Sequence, residues 1–202
     1  SLLLRQSRGN LTADALAQAA NEIAQESERA AAILSGIRAF ARKRGHVRKR
    51  CDPITLTRET VDLFTGMLPH VPEIKVEIQS QLSTPQVWVD PQQIQQVLLN
   101  LLKNAYDAHR ENGCDAPIEV NLQCTQTHCK WQVRDRGAGM ESDALEKLFE
   151  PFFTTKDEGL GLGLSICQSI LEAHGGKLSA SLNAPDAGMS FNFELPLIGA
   201  VI

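Results

Sequence analysis

Apolar positions follow two different rhythms along this chain. Between residues 12 and 44, small or apolar residues recur at Leu16, Ala20, Ile23, Ser27, Ala30, Leu34, Ile37 and Ala41. That 4-3-4-3-4-3-4 spacing predicts one long helix with an unbroken heptad seam. Thr12 is placed to cap it, and Asp14 puts negative charge in the first turn, where the helix dipole favours it. Glu22, Glu26, Glu28, Arg29, Arg38 and Arg42 mostly lie off the seam, so the stripe needs a partner in a helical hairpin or a dimeric bundle. Gly9-Asn10 supplies a turn, and residues 1–8 read as the end of a preceding helix.

From residue 54 the rhythm is mixed. Helices are predicted over 56–68, 91–111 (with Pro91 in the first turn) and 163–174, with short helical material after residue 140. Strands are predicted over 74–79, 86–89, 118–124, 130–135, 177–181 and 190–195. Without regular βαβ repeats a doubly wound sheet is disfavoured; the order predicts an α+β two-layer α/β sandwich with a largely antiparallel sheet. Cys51-Asp52-Pro53 punctuates the change of rhythm and divides the chain into 1–50 and 51–202.

Composition narrows the function. The 202 residues are 43% hydrophobic, enough for a real core, and the net charge of −4 gives no support to a general nucleic-acid role. The basic run at 42–50 straddles a helix end and a Gly-marked linker, where cations are favourable. No apolar run approaches the ~18–20 residues that cross a bilayer. The chain opens on Ser1 in mid-helix pattern, which suggests an excerpt of something longer. The five cysteines form no CxxC pair. Cys124 and Cys129 with His128 could suggest a metal, but the alternation over 120–133 explains the segment as a hairpin, and free thiols are the expectation for all five.

Three constellations carry chemistry. On a helix over 91–111, Asn100 and Asn104 share a face one turn apart, so their carboxamides can serve a hydrated cation and its phosphates. Two asparagines inside a strong helix are also a local inconsistency of the kind that function explains. Asp135-Arg136-Gly137-Ala138-Gly139-Met140 follows a strand directly. A carboxylate there can accept from an exocyclic amine, and the glycines let backbone approach a flat ring. Phe149-Glu150-Pro151-Phe152-Phe153-Thr154-Thr155-Lys156 then runs into Gly159-Leu160-Gly161-Leu162-Gly163, a phosphate-cradling loop that matches neither a Walker A sequence nor GxGxxG.

These elements occur in one order within about 65 residues. Together they resemble the catalytic domains of sensor histidine kinases of two-component systems, within the superfamily that includes gyrase B, Hsp90 and MutL ATPases. Residues 100–108 resemble the N box, 135–139 the G1 box, 149–153 the F box and 159–163 the G2 box. Gly175-Gly176 and Gly188-x-x-Phe191 to Leu195-Pro196 resemble the family's terminal hairpin, and the heptad helix resembles the second helix of the dimerisation and phosphotransfer hairpin. The resemblance implies a Bergerat-type ATP-binding fold preceded by a truncated helical hairpin. The short junction at 152–156 resembles that of oxygen and dicarboxylate sensors.

The resemblance also implies roles. Asp135 would bind the adenine amino group, with Gly137, Gly139 and Met140 lining the base. Asn104 would coordinate Mg²⁺ on the phosphates of ATP, with Asn100 assisting. Gly159, Gly161, Leu162 and Gly163 would form the lid, with Thr155 and Lys156 at its base and Lys156 neutralising phosphate charge. Many relatives carry a Lys three residues after the second Asn; here that position is Asp107, so Lys103 or Lys156 would substitute. The reaction implied is transfer of the γ-phosphoryl group of ATP to a histidine, for relay to the receiver domain of a response regulator. Homodimerisation through the hairpin and a cytoplasmic location follow on the same ground, with any membrane anchor in segments outside this chain.

Hydrolytic relatives put a Glu where this chain has Asn100, and an amide cannot take a proton from water. That weighs against a gyrase- or Hsp90-type machine. The heptad helix weighs against an anti-sigma-type serine kinase, and the intact Asn104, Asp135 and glycines weigh against a non-catalytic nucleotide sensor. None of His46, His70, His109, His128 and His174 has the surroundings of a phosphoacceptor; His109 and His174 read as ordinary surface or capping residues. The expectation is a chain that binds ATP without phosphorylating itself.

Overall fold

A computed structural model describes residues 47–68, 71–156, 160–183 and 188–199. The heptad helix, its turn, His46, His70 and Gly159 lie outside the described residues. Five strands form one sheet in the order β2 (Ile74–Ser80), β4 (Ile118–Cys124), β5 (His128–Arg134), β7 (Met189–Pro196) and β6 (Lys177–Leu182). Only β2 and β4 run parallel; every other neighbour is antiparallel. A separate ribbon pairs β1 (Lys49–Cys51) with β3 (Val87–Val89). Among the described residues the helices are α1 (Pro53–Met67), α2 (Pro91–Asn112), α3 (Ser142–Lys147) and α4 (Gly163–Ala173). The α+β sandwich expected from the sequence is the fold found.

Strict alternation builds the core. Ile118, Val120, Leu122 and Cys124 of β4 and Cys129, Trp131 and Val133 of β5 are buried, as period-two strands with one covered face require. They meet Ile94, Val97, Leu98, Leu101, Leu102 and Ala105, the apolar stripe of α2. Trp131 stacks on its cross-strand partner Phe193 at 4.7 Å between centroids and donates Nε1–H to Thr57 Oγ of α1 at 2.8 Å, tying the sheet to the helical layer. The opposite face is polar, where Asn121 donates to Gln132 and Gln132 to Asn192.

The starts of the first two helices are set by side-chain chemistry rather than by periodicity. Asp52 and Asp90 each accept a backbone N–H two residues on, at 3.0 Å, and a proline follows each at the first helical position. Cys51-Asp52-Pro53 is therefore the end of a strand and the cap of α1, which begins three residues before the position predicted from its apolar pattern. The cysteine expectation needs a correction. Cys124 and Cys129 are bonded to each other, while Cys51, Cys114 and Cys167 are free thiols. They are directly opposed in the β4–β5 hairpin with Cα atoms 4.2 Å apart, the close spacing of a non-hydrogen-bonded antiparallel pair.

Candidate nucleotide site

One face of α2 is the floor of the site. Residues 100, 104, 107 and 108 follow an i, i+4, i+7, i+8 series, so their side chains share a stripe. Three of them reach a different one of the motifs picked out in the sequence. Asn100 donates Nδ2–H to the Gly163 carbonyl at 3.4 Å and approaches Cys167 Sγ at 3.5 Å, bracing the start of α4. Asp107 accepts from Lys156, at the base of the lid, at 2.9 Å and from Lys103 at 2.5 Å. Ala108 packs against Gly137 so closely that a Cβ there would lie 2.6 Å from the Ala108 Cβ. Asn104 is half-buried and its carboxamide has no hydrogen-bond partner among the described residues.

That free amide fits Mg²⁺. The ion takes few protein ligands beside phosphate oxygens and water, and no cluster of three His, Cys, Asp or Glu exists among the described residues to compete for it. Asp107 is the departure from the expected pattern, and its geometry explains it. The carboxylate gathers both candidate lysines instead of presenting a cation itself. Burial alone would raise its carboxyl, but the two lysine bonds outweigh burial and hold it below the ordinary value.

Asp135 directly follows β5 and is 2% exposed. Its Oδ1 accepts the backbone N–H of Gly137 at 2.9 Å and of Met189 at 3.1 Å, while no described residue bonds Oδ2. Burial lifts its carboxyl above the ordinary value, against the two N–H donors and the positive charge of Lys156. The carboxylate is thus anchored by one oxygen and free at the other, the arrangement that recognises a single external N–H donor. Gly139, with φ +73°, lies beside Gly188 and Leu182, and Met140 is half-buried against the core.

In the lid, Gly161 has φ +64°, and a Cβ there would collide with the backbone of Phe152 and Phe153. Its carbonyl accepts from Phe152 N–H at 3.0 Å, which closes the loop onto the phenylalanine segment. Phe152 itself adopts φ +69° and is 74% exposed, a backbone strain that the surrounding contacts must hold. Leu162 caps α4, and Gly163 opens that helix with space around it. Thr155 is exposed beside Lys156.

Sequence reasoning missed the supports of this site. His109 is not a surface residue. It is 2% exposed, and its Nε2 accepts the Arg136 backbone N–H at 2.8 Å. His174 is buried too; it caps α4 and accepts the Asp90 N–H that precedes α2. Asn183 and Ser190 bond each other behind Asp135. The only hint in the sequence was that His109 falls on the apolar stripe of α2, four residues after Ala105.

Comparison with known proteins identifies the family and the fold. Residues 89–199 match the family described as histidine kinase-, DNA gyrase B-, and HSP90-like ATPase. Sensor protein FixL of Bradyrhizobium diazoefficiens is 34% identical over 178 residues, 88% of this chain and 35% of that protein. The chain thus spans little more than a third of that relative's length. The nucleotide-free catalytic domain of histidine kinase ThkA is 33% identical with a TM-score of 0.62, over 74% of this chain and 95% of that one. ThkA in complex with the response regulator protein TrrA is 28% identical with a TM-score of 0.75, over 96% of this chain and 55% of that one. The fold is that of a histidine-kinase catalytic domain. Among the described residues, no helix is long and apolar enough to cross a membrane.

Proposed function

Because this chain belongs to the histidine kinase-, DNA gyrase B- and HSP90-like ATPase family, we propose that it binds Mg-ATP over α2 and serves as the catalytic half of a sensor histidine kinase. The observation that carries the reading is the buried Asp135 carboxylate, anchored at Oδ1 and free at Oδ2. Oδ2 would accept the 6-amino group of adenine. Asn104 would hold Mg²⁺, which neutralises phosphate charge. Lys156 and Lys103, already drawn to the same place by Asp107, would turn toward the phosphates as the lid segment folds over them.

The step proposed is attack of a neutral histidine nitrogen on the γ-phosphorus, forming the N–P bond as the bond to the β–γ bridging oxygen breaks and ADP leaves. Such a transfer needs positioning and charge stabilisation rather than a strong base. Asn100 fits that demand, since an amide cannot activate water and here it braces α4. The acceptor is none of His109, His128 and His174. The rings of His109 and His174 are buried and bonded to backbone, and His128 sits in a strand against Thr127. Relay to an aspartate of a response regulator and homodimerisation through residues 12–44 complete the proposed role.

Calorimetric titration of the chain with Mg-ATP, adenosine and Mg-GTP tests the reading. Guanine offers a carbonyl where adenine offers an amine, so Mg-GTP should bind at least tenfold more weakly, about 1.4 kcal/mol. Equal binding of the two nucleotides would remove Asp135 from base recognition.

A further inference from the structure

The peptide group that joins Asp135 to Arg136 is held at both of its polar ends by side chains. Its carbonyl accepts from Asn183 Nδ2 at 2.8 Å, and its N–H donates to His109 Nε2 at 2.8 Å. The two side chains come from opposite parts of the chain. His109 lies in the last turns of α2, and Asn183 directly follows β6. Asn183 is itself held, because its Oδ1 accepts from Ser190 Oγ at 2.7 Å and its N–H donates to the Gly188 carbonyl at 3.1 Å. Gly188, at φ +111°, lies flat against the same peptide, and a Cβ there would strike the Asp135 carbonyl and Arg136 Cα.

We propose that His109 and Asn183 are positioning residues for adenine recognition, a clamp on the 135–136 peptide that aims Asp135 Oδ2 at the base. This rests on the reading of Asp135 as the adenine acceptor. Rotating that peptide would change ψ of Asp135 and φ of Arg136, and so carry the Gly137 N–H away from Oδ1, where it now donates at 2.9 Å. Without that bond the carboxylate is free to turn, and Oδ2 loses its direction. A bidentate clamp made of side chains is needed here because the strand has ended. The last sheet bond of β5 toward β7 at this point is Asp135 N–H to the Met189 carbonyl, and the next peptide has no strand partner. His109 serves as an acceptor only while Nε2 is unprotonated, and its burial favours that form. An apolar side chain of the same size would fill the space and strand the Arg136 N–H.

The test uses the whole chain and three variants. His109→Leu keeps bulk and removes the acceptor, His109→Gln restores an acceptor, and Asn183→Asp keeps the bond from Ser190 while replacing the donor to the Asp135 carbonyl. His109→Leu and Asn183→Asp should each weaken adenosine and Mg-ATP by the same factor, about fivefold to tenfold for one lost hydrogen bond. His109→Gln should bind within about twofold of wild type, a rescue that a role in packing alone would not give. In the nucleotide-free chain, amide exchange at Arg136 should accelerate about tenfold in His109→Leu and return toward wild type in His109→Gln. Wild-type affinity in Asn183→Asp or His109→Leu, equal losses in the Leu and Gln variants, or unchanged exchange at Arg136 would each overturn the clamp. If His109→Leu does not fold, Asn183→Asp decides through the same affinities. If the wild-type chain binds neither adenosine nor Mg-ATP, the functional reading fails, and exchange at Arg136 still judges the clamp by itself.

Discussion

Asp135→Asn separates recognition from stability more cleanly than any other change in the site. The carboxamide is nearly isosteric, and its Oδ1 can keep both backbone donors, Gly137 at 2.9 Å and Met189 at 3.1 Å. In that orientation an NH₂ group replaces Oδ2 and faces the adenine amine, donor against donor. Flipping the amide to offer oxygen to the base would turn the NH₂ group onto two N–H donors instead. The variant cannot satisfy both sides. A charge-assisted hydrogen bond is worth roughly 1.5–3 kcal/mol, so affinity for Mg-ATP should fall by about tenfold to about 150-fold. Stability should move the other way or not at all. Burial raises the carboxyl of Asp135, so the ionised form costs the fold something at neutral pH that an uncharged amide does not. Calorimetric titration gives the affinity, and thermal unfolding without nucleotide gives the stability. A purine nucleotide lacking the 6-amino group provides the control, because it should bind wild type and variant alike. Undiminished affinity for Mg-ATP, or a loss as large for the des-amino nucleotide, would refute the assignment of Asp135 to the base.

Two further outcomes follow from the same geometry. Asn104→Ala removes a carboxamide that has no partner among the described residues, so affinity for Mg-ATP should drop about tenfold in magnesium and little in EDTA or with adenosine; calorimetry with equal losses for adenosine would make Asn104 structural. His109 carries a depressed basicity in the fold, chiefly from burial, so the unfolded chain binds the proton more readily. Its contribution to stability is complete above the ordinary histidine value of about 6.5 and is lost as pH falls through the lower folded value. Urea midpoints measured from pH 7.5 down to pH 5 should therefore fall more steeply in wild type than in His109→Gln, and parallel profiles would contradict the burial argument.

What could be read in the sequence, and what could not, divides along a physical line. Periodicity gave α2 and the strands β4, β5 and β7, because a period of 3.6 or 2 must appear wherever one face meets a core. Local order marked Asn100, Asn104, Asp135 and Gly161 as candidates, because a carboxamide pair on one helix face or a glycine in a positive-φ turn is a short-range signature. The alternation over residues 120–133 gave the β4–β5 hairpin, but not that Cys124 and Cys129 fall in direct register across it. That outcome depends on the turn, which a one-residue change would shift. His109 and Asn183 were illegible for a different reason. Each meets the 135–136 peptide through one side-chain bond to a backbone group far away in sequence, 27 residues for His109 and 48 for Asn183. Such a bond imposes no pattern on its neighbours. Asp107 lies between the two cases: its sequence position marked it as a departure, and only the fold shows that it holds the two lysines expected to replace the missing one. The proposed site is therefore a stripe on α2 that a reader of the sequence can find, whose candidate ligands would be aimed by contacts that only the tertiary structure contains.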